Sequence, residues 1–401
     1  MTRTMQPFNP MEATMSTKSP DNAKKAIVIG GSLGGLFAGN MLRTAGWEAD
    51  IYERSEHDLD SRGGGIVLQP DVVEVFRRSG IDTAHMDLGV ASRLRTTWRK
   101  DGSIQNRSPA AQTQTSWSLI DTTMKDAFGD DHYHRGKKLI EIKEDPDTKE
   151  VTAIFADGCT SRGDLLIGAD GNGSTVRQLF WPDNKPTYAG YLAWRGLVSE
   201  NAVPEDAREL LGNFDFANHH GKTGGSHMLG YLVPGEGNDI RKGHRFYNWV
   251  WYRTVDGETL TDIMTDKEGR ARGFSIPEGK LRDQWVAHVN SDADDYLPAN
   301  FRAMVKATQH PFAQAIRDLT VDTMVKGRVI LVGDAAFIPR PHTAASTSKA
   351  AFNAILLAEA LKKYPDDPDA ALKAWMPQQL MLGRQLYHQG TSAGNHLLFQ
   401  R

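Results

Sequence analysis

Residues 25–53 read KAIVIGGSLGGLFAGNMLRTAGWEADIYE, and this stretch decides the fold. Ala26 to Ile29 is an apolar, largely β-branched run ending at glycines, the pattern of a buried parallel strand. Leu36, Met41 and Leu42 form a helical stripe that stops near Gly46, and Glu48 to Tyr52 gives a second strand. Strand, glycine turn, helix and strand within about 30 residues make a βαβ unit of the dinucleotide-binding kind. The fingerprint G-x-G-x-x-G asks for three glycines; Gly30 and Gly35 fill the outer places and Ser32 stands in the middle. Serine is small enough for close backbone approach, and the helix opening at Leu33 directs its positive dipole end at a phosphate. Glu53 ends the second strand 23 residues after Gly30, where a carboxylate accepts ribose hydroxyls. The bland alternative is a glycine turn in some other α/β protein.

Two more stretches repeat the logic of a carboxylate at the end of a buried strand. LLIGADGNGSTVR (165–177) runs a strand into Asp170 and Gly171, with Ser174 and Arg177 opening the next segment. VILVGDAAFIPRPHTAASTSKAAFNA (329–354) runs a strand into Gly333 and Asp334, then a proline-rich turn and a helix. Both are places where α/β folds bind ligands.

Between and beyond these loci, organisation is coarser. Residues 1–23 are expected to be a disordered leader, and 24–186 the first part of a cofactor domain. Residues 187–300 carry strand-like runs (Tyr188 to Val198, His227 to Pro234, His244 to Thr254) and are expected to form a substrate domain on an antiparallel sheet. The polar stretch 254–273 reads as a surface excursion. Residues 301–401 turn helical, return to the cofactor domain with a strand at Arg328 to Val332, and end in helices over about 346–363 and 368–390. The fold class is therefore α/β, a Rossmann-like domain interrupted by an antiparallel sheet.

Composition removes several functions. The 401 residues carry 47 Lys plus Arg against 50 Asp plus Glu, so no global basic field attracts nucleic acid. No window holds the roughly 18 uninterrupted apolar residues of a membrane span. Cys159 is the single cysteine, which precludes an intrachain disulfide and makes the cytoplasm the expected compartment. His132/His134 and His219/His220 lack a cysteine or carboxylate cluster at ligand spacing, so no metal is expected. Gly221, Lys222 and Thr223 imitate the end of a P-loop, but Phe216 occupies the required glycine position. Trp249 and Trp251 are expected to pack on the sheet.

The order of the three loci, with IYERS (51–55), GGGIVLQPDVV (63–73), YAGYLAWRG (188–196), YNWVWYR (247–253) and RPHTAASTSKA (340–350), resembles the single-component FAD-dependent aromatic hydroxylases of the para-hydroxybenzoate hydroxylase type. Within that family it is most similar to the 2,6-dihydroxypyridine 3-hydroxylase-like monooxygenases. The resemblance covers about 24–395 and implies a glutathione-reductase-type FAD domain. It implies that Glu53 binds the FAD ribose, that Asp334 bonds the ribityl chain with Gly333 allowing approach, and that Asp170 and Gly171 lie near the pyrophosphate. Pro341 would lie against the flavin ring, with Ala344 and Ala345 leading into the next helix; Gly30, Ser32, Leu33, Gly35 and Arg54 complete the cofactor set. The sequence departs from the family at Ser32, at Phe337 in place of a frequent histidine, at Ser346 in place of a glycine, at Asn353 in place of an aspartate, and at 115–117, where many relatives carry an arginine.

The resemblance also implies the reaction: NADH or NADPH reduces FAD, dioxygen forms a flavin 4a-hydroperoxide, and an electron-rich ring, here a hydroxypyridine, takes one oxygen. No second dinucleotide fold is visible, so NAD(P)H would bind transiently. Candidates around the substrate are Tyr231 as a proton relay, Arg195 or His342 orienting an anion, and Phe312 as an apolar wall beside Pro341. Two other readings stay open: a FAD oxidase or dehydrogenase that inserts no oxygen, and a flavoprotein that sequesters an aromatic ligand. The assembly is also open, with a homodimer one form.

Overall fold

The computed structural model describes residues 23–57, 64–221 and 224–401. The expected leader falls almost wholly on residues 1–22, outside the described residues, as do Lys222 and Thr223.

The opening βαβ unit forms as read. Strand Lys25–Ile29 sits in a six-stranded sheet, paired in parallel with Glu48–Tyr52 on one side and Leu165–Gly168 on the other. Val329–Leu331 extends the parallel set, so the three motif-bearing strands lie side by side and end on the same edge. Their residues are apolar on both faces because both faces are covered. Helices Leu33–Thr44, Ser346–Lys363 and Trp117–Phe128 pack together, and a three-stranded sheet (Leu139–Glu144, Val151–Phe155, Thr160–Gly163) contributes Val151, Ala153 and Phe155 to the same core.

A second sheet has nine strands and is antiparallel except where Phe214–Gly221 runs parallel to Val90–Trp98. Its strands obey a two-residue period. Trp194, Met228, Trp249 and Trp251 point one way, into a core with helices Asp283–Tyr296 and Ala299–Ala307. Both indole N–H groups of the 249/251 pair are satisfied, Trp249 by the Thr308 hydroxyl at 2.9 Å and Trp251 by the Ser226 hydroxyl at 2.7 Å. Burying one such side chain removes roughly 200 Å² from water, about 5 kcal/mol at ~25 cal/mol per Å² before entropy is counted. Ala193, Arg195, Tyr231, Val250 and Tyr252, at the alternate positions, point the other way and line a cavity.

The structure corrects three sequence expectations. The substrate sheet is not confined to 187–300: Gly65–Val67, Val90–Trp98 and Ile104–Ser116 supply three of its strands, and Phe312–Asp318 a fourth. These segments are short or polar, so their strand character comes from pairing rather than from apolar patterning. The excursion 254–273 is partly internal, holding helix Gly257–Ile263 and a buried Asp266 that accepts from the Arg272 side chain at 2.6 Å. The last helix, Pro368–Phe399, runs well past 390 and brings Ala393 and Leu397 to the cavity.

Candidate active site

The cofactor-side cleft, about 470 Å³, opens where the parallel strands end. Gly30 follows the first strand at φ +107°, and a Cβ there would stand 2.6 Å from the Ala169 carbonyl oxygen, so the turn requires glycine. Gly35 does not line the cleft; a side chain on it would run into the Gly30 carbonyl, so its role is helix-to-turn packing. Ser32 and Leu33 line the cleft at the start of their helix, and Ser32 makes no side-chain cap, leaving the helix N–H groups to a ligand. Glu53 is buried at the same place: its two oxygens accept from the Gly31 N–H at 2.8 Å and the Ser55 N–H at 2.9 Å. Arg54 is exposed at the rim.

Asp170 lines the cleft, yet its carboxylate is committed locally. It accepts from the Ser174 hydroxyl and from the N–H groups of Thr175 and Val176, at 2.6 and 3.1 Å. Burial pushes its pKa up from the ordinary aspartate range. Arg177, buried, donates to the carbonyls of Asn172 and Ala335, at 2.6 and 2.9 Å, and so ties the middle motif to the last one. Gly333 adopts φ +60°, and its N–H is held by the Asn353 Oδ1 at 3.0 Å; the asparagine thus keeps the acceptor that an aspartate would supply. Asp334 follows and faces both the cleft and the neighbouring cavity.

The second cavity, about 630 Å³, lies between the nine-stranded sheet and the turn Pro341–Ser346. It adjoins the cleft, since Arg195, Gln314, Asp334, Ser346 and Thr347 line both. Arg195 donates to the Gln314 Oε1 at 3.0 Å, while its Nε has no partner among the described residues. Phe214, Phe216 and Tyr231 form an aromatic wall, with the Phe214 and Tyr231 rings 5.0 Å apart. Burial raises the Tyr231 phenol to about 12, so at neutral pH it is a donor and holds its proton. Pro341, Ala344 and Ala345, expected on the cofactor side, line this cavity and not the cleft. Ala344 sits at φ +51°, a left-handed conformation that costs a non-glycine residue about 1 kcal/mol and is retained where the surroundings impose it.

His342 also lines this cavity, stacked beside Tyr191 and edge-on to Tyr252, with its Nε2 2.9 Å from the Tyr191 hydroxyl. Burial, reinforced by the nearby Arg340 charge, lowers its pKa to about 4. It is therefore neutral at pH 7, which leaves Arg195 as the charged one of the two candidates for orienting an anion. Phe312 reaches neither cavity. Its strand register sets it directly opposite Arg195, and its ring lies 5.5 Å from that guanidinium.

Several residues escaped the sequence reading. His227 and Tyr252 line the second cavity, and both keep the two-residue period, His227 with Tyr231 and Tyr252 with Val250. Trp117, in the stretch that lacks the family arginine, lines the cleft. His132 and His134 do meet a carboxylate, Asp50 Oδ1 at 3.1 and 2.8 Å, from another strand. Among the described residues no group of three or more metal-ligating side chains assembles.

Residues 23–209 match the FAD binding domain family, and 188–318 a FAD binding domain-like family. The chain is 34% identical over 362 residues to 2,6-dihydroxypyridine 3-monooxygenase of Paenarthrobacter nicotinovorans, covering 90% of this chain and 88% of the relative. It is 24% identical to 6-hydroxynicotinate 3-monooxygenase of Pseudomonas fluorescens, covering 84% and 83%. The solved structure of 2,6-dihydroxypyridine-3-hydroxylase from Arthrobacter nicotinovorans superposes with a TM-score of 0.86 at 32% identity, over 94% and 93% of the two chains. A Klebsiella pneumoniae protein complexed with FAD and uric acid shares the fold, with a TM-score of 0.73 at 23% identity, over 93% and 88%. The chain belongs to the FAD-dependent aromatic monooxygenases. Its cleft fits the cofactor: a glycine turn without room for a side chain, a buried Glu53 beside an uncapped helix start, and Asp334 at the far end. No helix among the described residues is long and apolar enough to cross a membrane.

Proposed function

We propose that the chain hydroxylates a small, electron-rich N-heteroaromatic ring, a hydroxypyridine, with dioxygen and NAD(P)H as co-substrates. One oxygen atom enters the ring as hydroxyl and the other leaves as water, the two electrons coming from NAD(P)H. Bound FAD supplies the redox and oxygen chemistry; the protein supplies placement, electrostatics and dryness. The observation that carries this reading is the aromatic-walled cavity adjoining the FAD cleft across Arg195, Gln314 and Asp334. Its volume is ample for one aromatic ring.

Within that cavity the residues divide the work. The Arg195 guanidinium, whose Nε has no partner among the described residues, pairs with a deprotonated ring hydroxyl and so favours the electron-rich form of the ring. Tyr231, keeping its proton, donates to a second ring oxygen or nitrogen. His342 packs against the ring's edge as a neutral imidazole. Phe214 and Phe216 exclude water, which protects the oxygen chemistry from futile loss. Glu53, Asp334 and the helix starting at Leu33 would hold the ribose, the ribityl chain and the pyrophosphate of FAD, and Pro341 would lie on the flavin side of the cavity.

The test is a panel of hydroxypyridines and hydroxybenzoates, scored for accelerated NAD(P)H oxidation and for product mass. The expected result is acceleration by a hydroxypyridine with a gain of one oxygen atom in the product. Acceleration with stoichiometric hydrogen peroxide and an unmodified ring, under every ligand, would establish an oxidase instead.

A further inference from the structure

Lysine in the first turn of a helix is out of place, since its charge opposes the positive end of the dipole. Lys349 occupies such a position in Ser346–Lys363 and is buried as well, with 2% of its side chain exposed. Burying an ammonium is costly unless a partner balances it. Its Nζ donates to the Asp334 Oδ1 at 2.9 Å and to the Phe337 carbonyl, so both ends of the GDAAF segment are held by one side chain. Ser346, three residues earlier and on the same face of the helix, donates its hydroxyl to the same Oδ1 at 2.5 Å. Oδ2 receives no hydrogen bond among the described residues, and the Asp334 side chain stays 37% exposed, at the junction of the two cavities.

We infer that Lys349 is the positioning residue of the flavin-side carboxylate: with Ser346 it locks Oδ1 of Asp334 and presents Oδ2, in a single orientation, to the ribityl hydroxyls of FAD. Lys349 itself touches neither cofactor nor substrate, since it lines neither cavity. A carboxylate ordered in advance loses less freedom when the ligand arrives. The inference rests on the reading of Asp334 as the acceptor for FAD, and does not depend on which ring is hydroxylated.

The experiment strips FAD from wild type, Lys349→Met, Asp334→Asn and the double variant. Each apoprotein is titrated with FAD by flavin fluorescence, and its thermal unfolding is followed by circular dichroism. Lys349→Met is expected to weaken FAD binding about 10- to 100-fold, the range for losing a hydrogen bond to a charged group. Asp334→Asn is expected to weaken it at least as much and to lower the apoprotein Tm, because the ammonium is left without its carboxylate. The double variant should bind FAD within about twofold of Asp334→Asn and recover the Tm, since Lys349 acts through Asp334. Wild-type affinity in Lys349→Met alongside a loss in Asp334→Asn would overturn the inference, as would losses that multiply in the double variant. Wild-type affinity in Asp334→Asn would instead overturn the reading of Asp334 itself. Should Lys349→Met fail to fold, Ser346→Ala removes the other bond to Oδ1 from an exposed position; about a three- to tenfold loss is expected, and no loss overturns the inference.

Discussion

The FAD cleft and the ring cavity share a border but are built differently. In the cleft, polar groups are spoken for by main chain: Glu53 binds the N–H groups of residues 31 and 55, and Asp170 those of residues 175 and 176. In the cavity, residues from eight strands, one turn and the last helix converge, and three side chains keep a nitrogen with no partner among the described residues: Arg195 Nε, Arg317 Nε and His342 Nδ1. The cleft thus fixes Glu53 and Asp170 with main chain and leaves Asp334 Oδ2 and the helix start at Leu33 open to the cofactor, whereas the cavity offers side-chain nitrogens to the substrate.

The contrast can be tested from its strongest point downward. Asp334→Ala should cost about 3 kcal/mol of FAD binding, more than 100-fold, because it removes the free acceptor and strands the Lys349 charge. Full flavin content after purification would show that the cleft does not depend on this residue. Next comes acid. His342 has its pKa lowered from 6.5 to about 4 in the folded state. The unfolded chain therefore takes up this proton first as pH falls, so the stabilising effect is complete above pH 6.5 and is lost between 6.5 and 4. The loss should be up to about 3 kcal/mol in wild type and absent in His342→Asn, measured as the difference in urea midpoints.

His342→Ala should lower coupled hydroxylation about tenfold, or ~1.4 kcal/mol, while FAD affinity stays within about twofold. Equal losses in both would erase the border between the two sites. Smallest is Tyr231→Phe, which keeps the aromatic wall and removes one donor to the ring. A rise in substrate KM of about three- to tenfold with little change in flavin reduction is expected, and an unchanged KM would remove Tyr231 from the substrate's contacts.

The same contrast governs what could be read from the sequence. Gly30, Glu53, Gly333 and Asp334 were legible because each answers to local chain geometry: strand end, tight turn, helix start. Gly35 was legible as a motif member, though its function is packing. The cavity was legible only in part. Tyr231, Arg195 and His342 reach it, but Phe312 misses it because strand register, which no local pattern reports, sets its ring against Arg195. Lys349 resembled an ordinary helix lysine, since its partner lies 15 residues away and becomes visible only when the turn folds back. The strands within residues 65–116 were missed for a related reason: half their residues face water, and they join the rest of the sheet only where Val90–Trp98 pairs with Phe214–Gly221, more than a hundred residues further on.

That pairing has a consequence for how the chain can be divided. The polypeptide enters the nine-stranded sheet, leaves for the six-stranded one, and returns to each again. A fragment cut at residues 187 and 300 would lack Val90–Trp98 beside Phe214–Gly221 and Phe312–Asp318 beside Thr187–Ser199. Both flanks of its sheet would stand open, an invitation to aggregate. Limited proteolysis should therefore release no stable substrate module: the two sites are interlaced through one continuous thread, and neither can be inherited, swapped or expressed without the other.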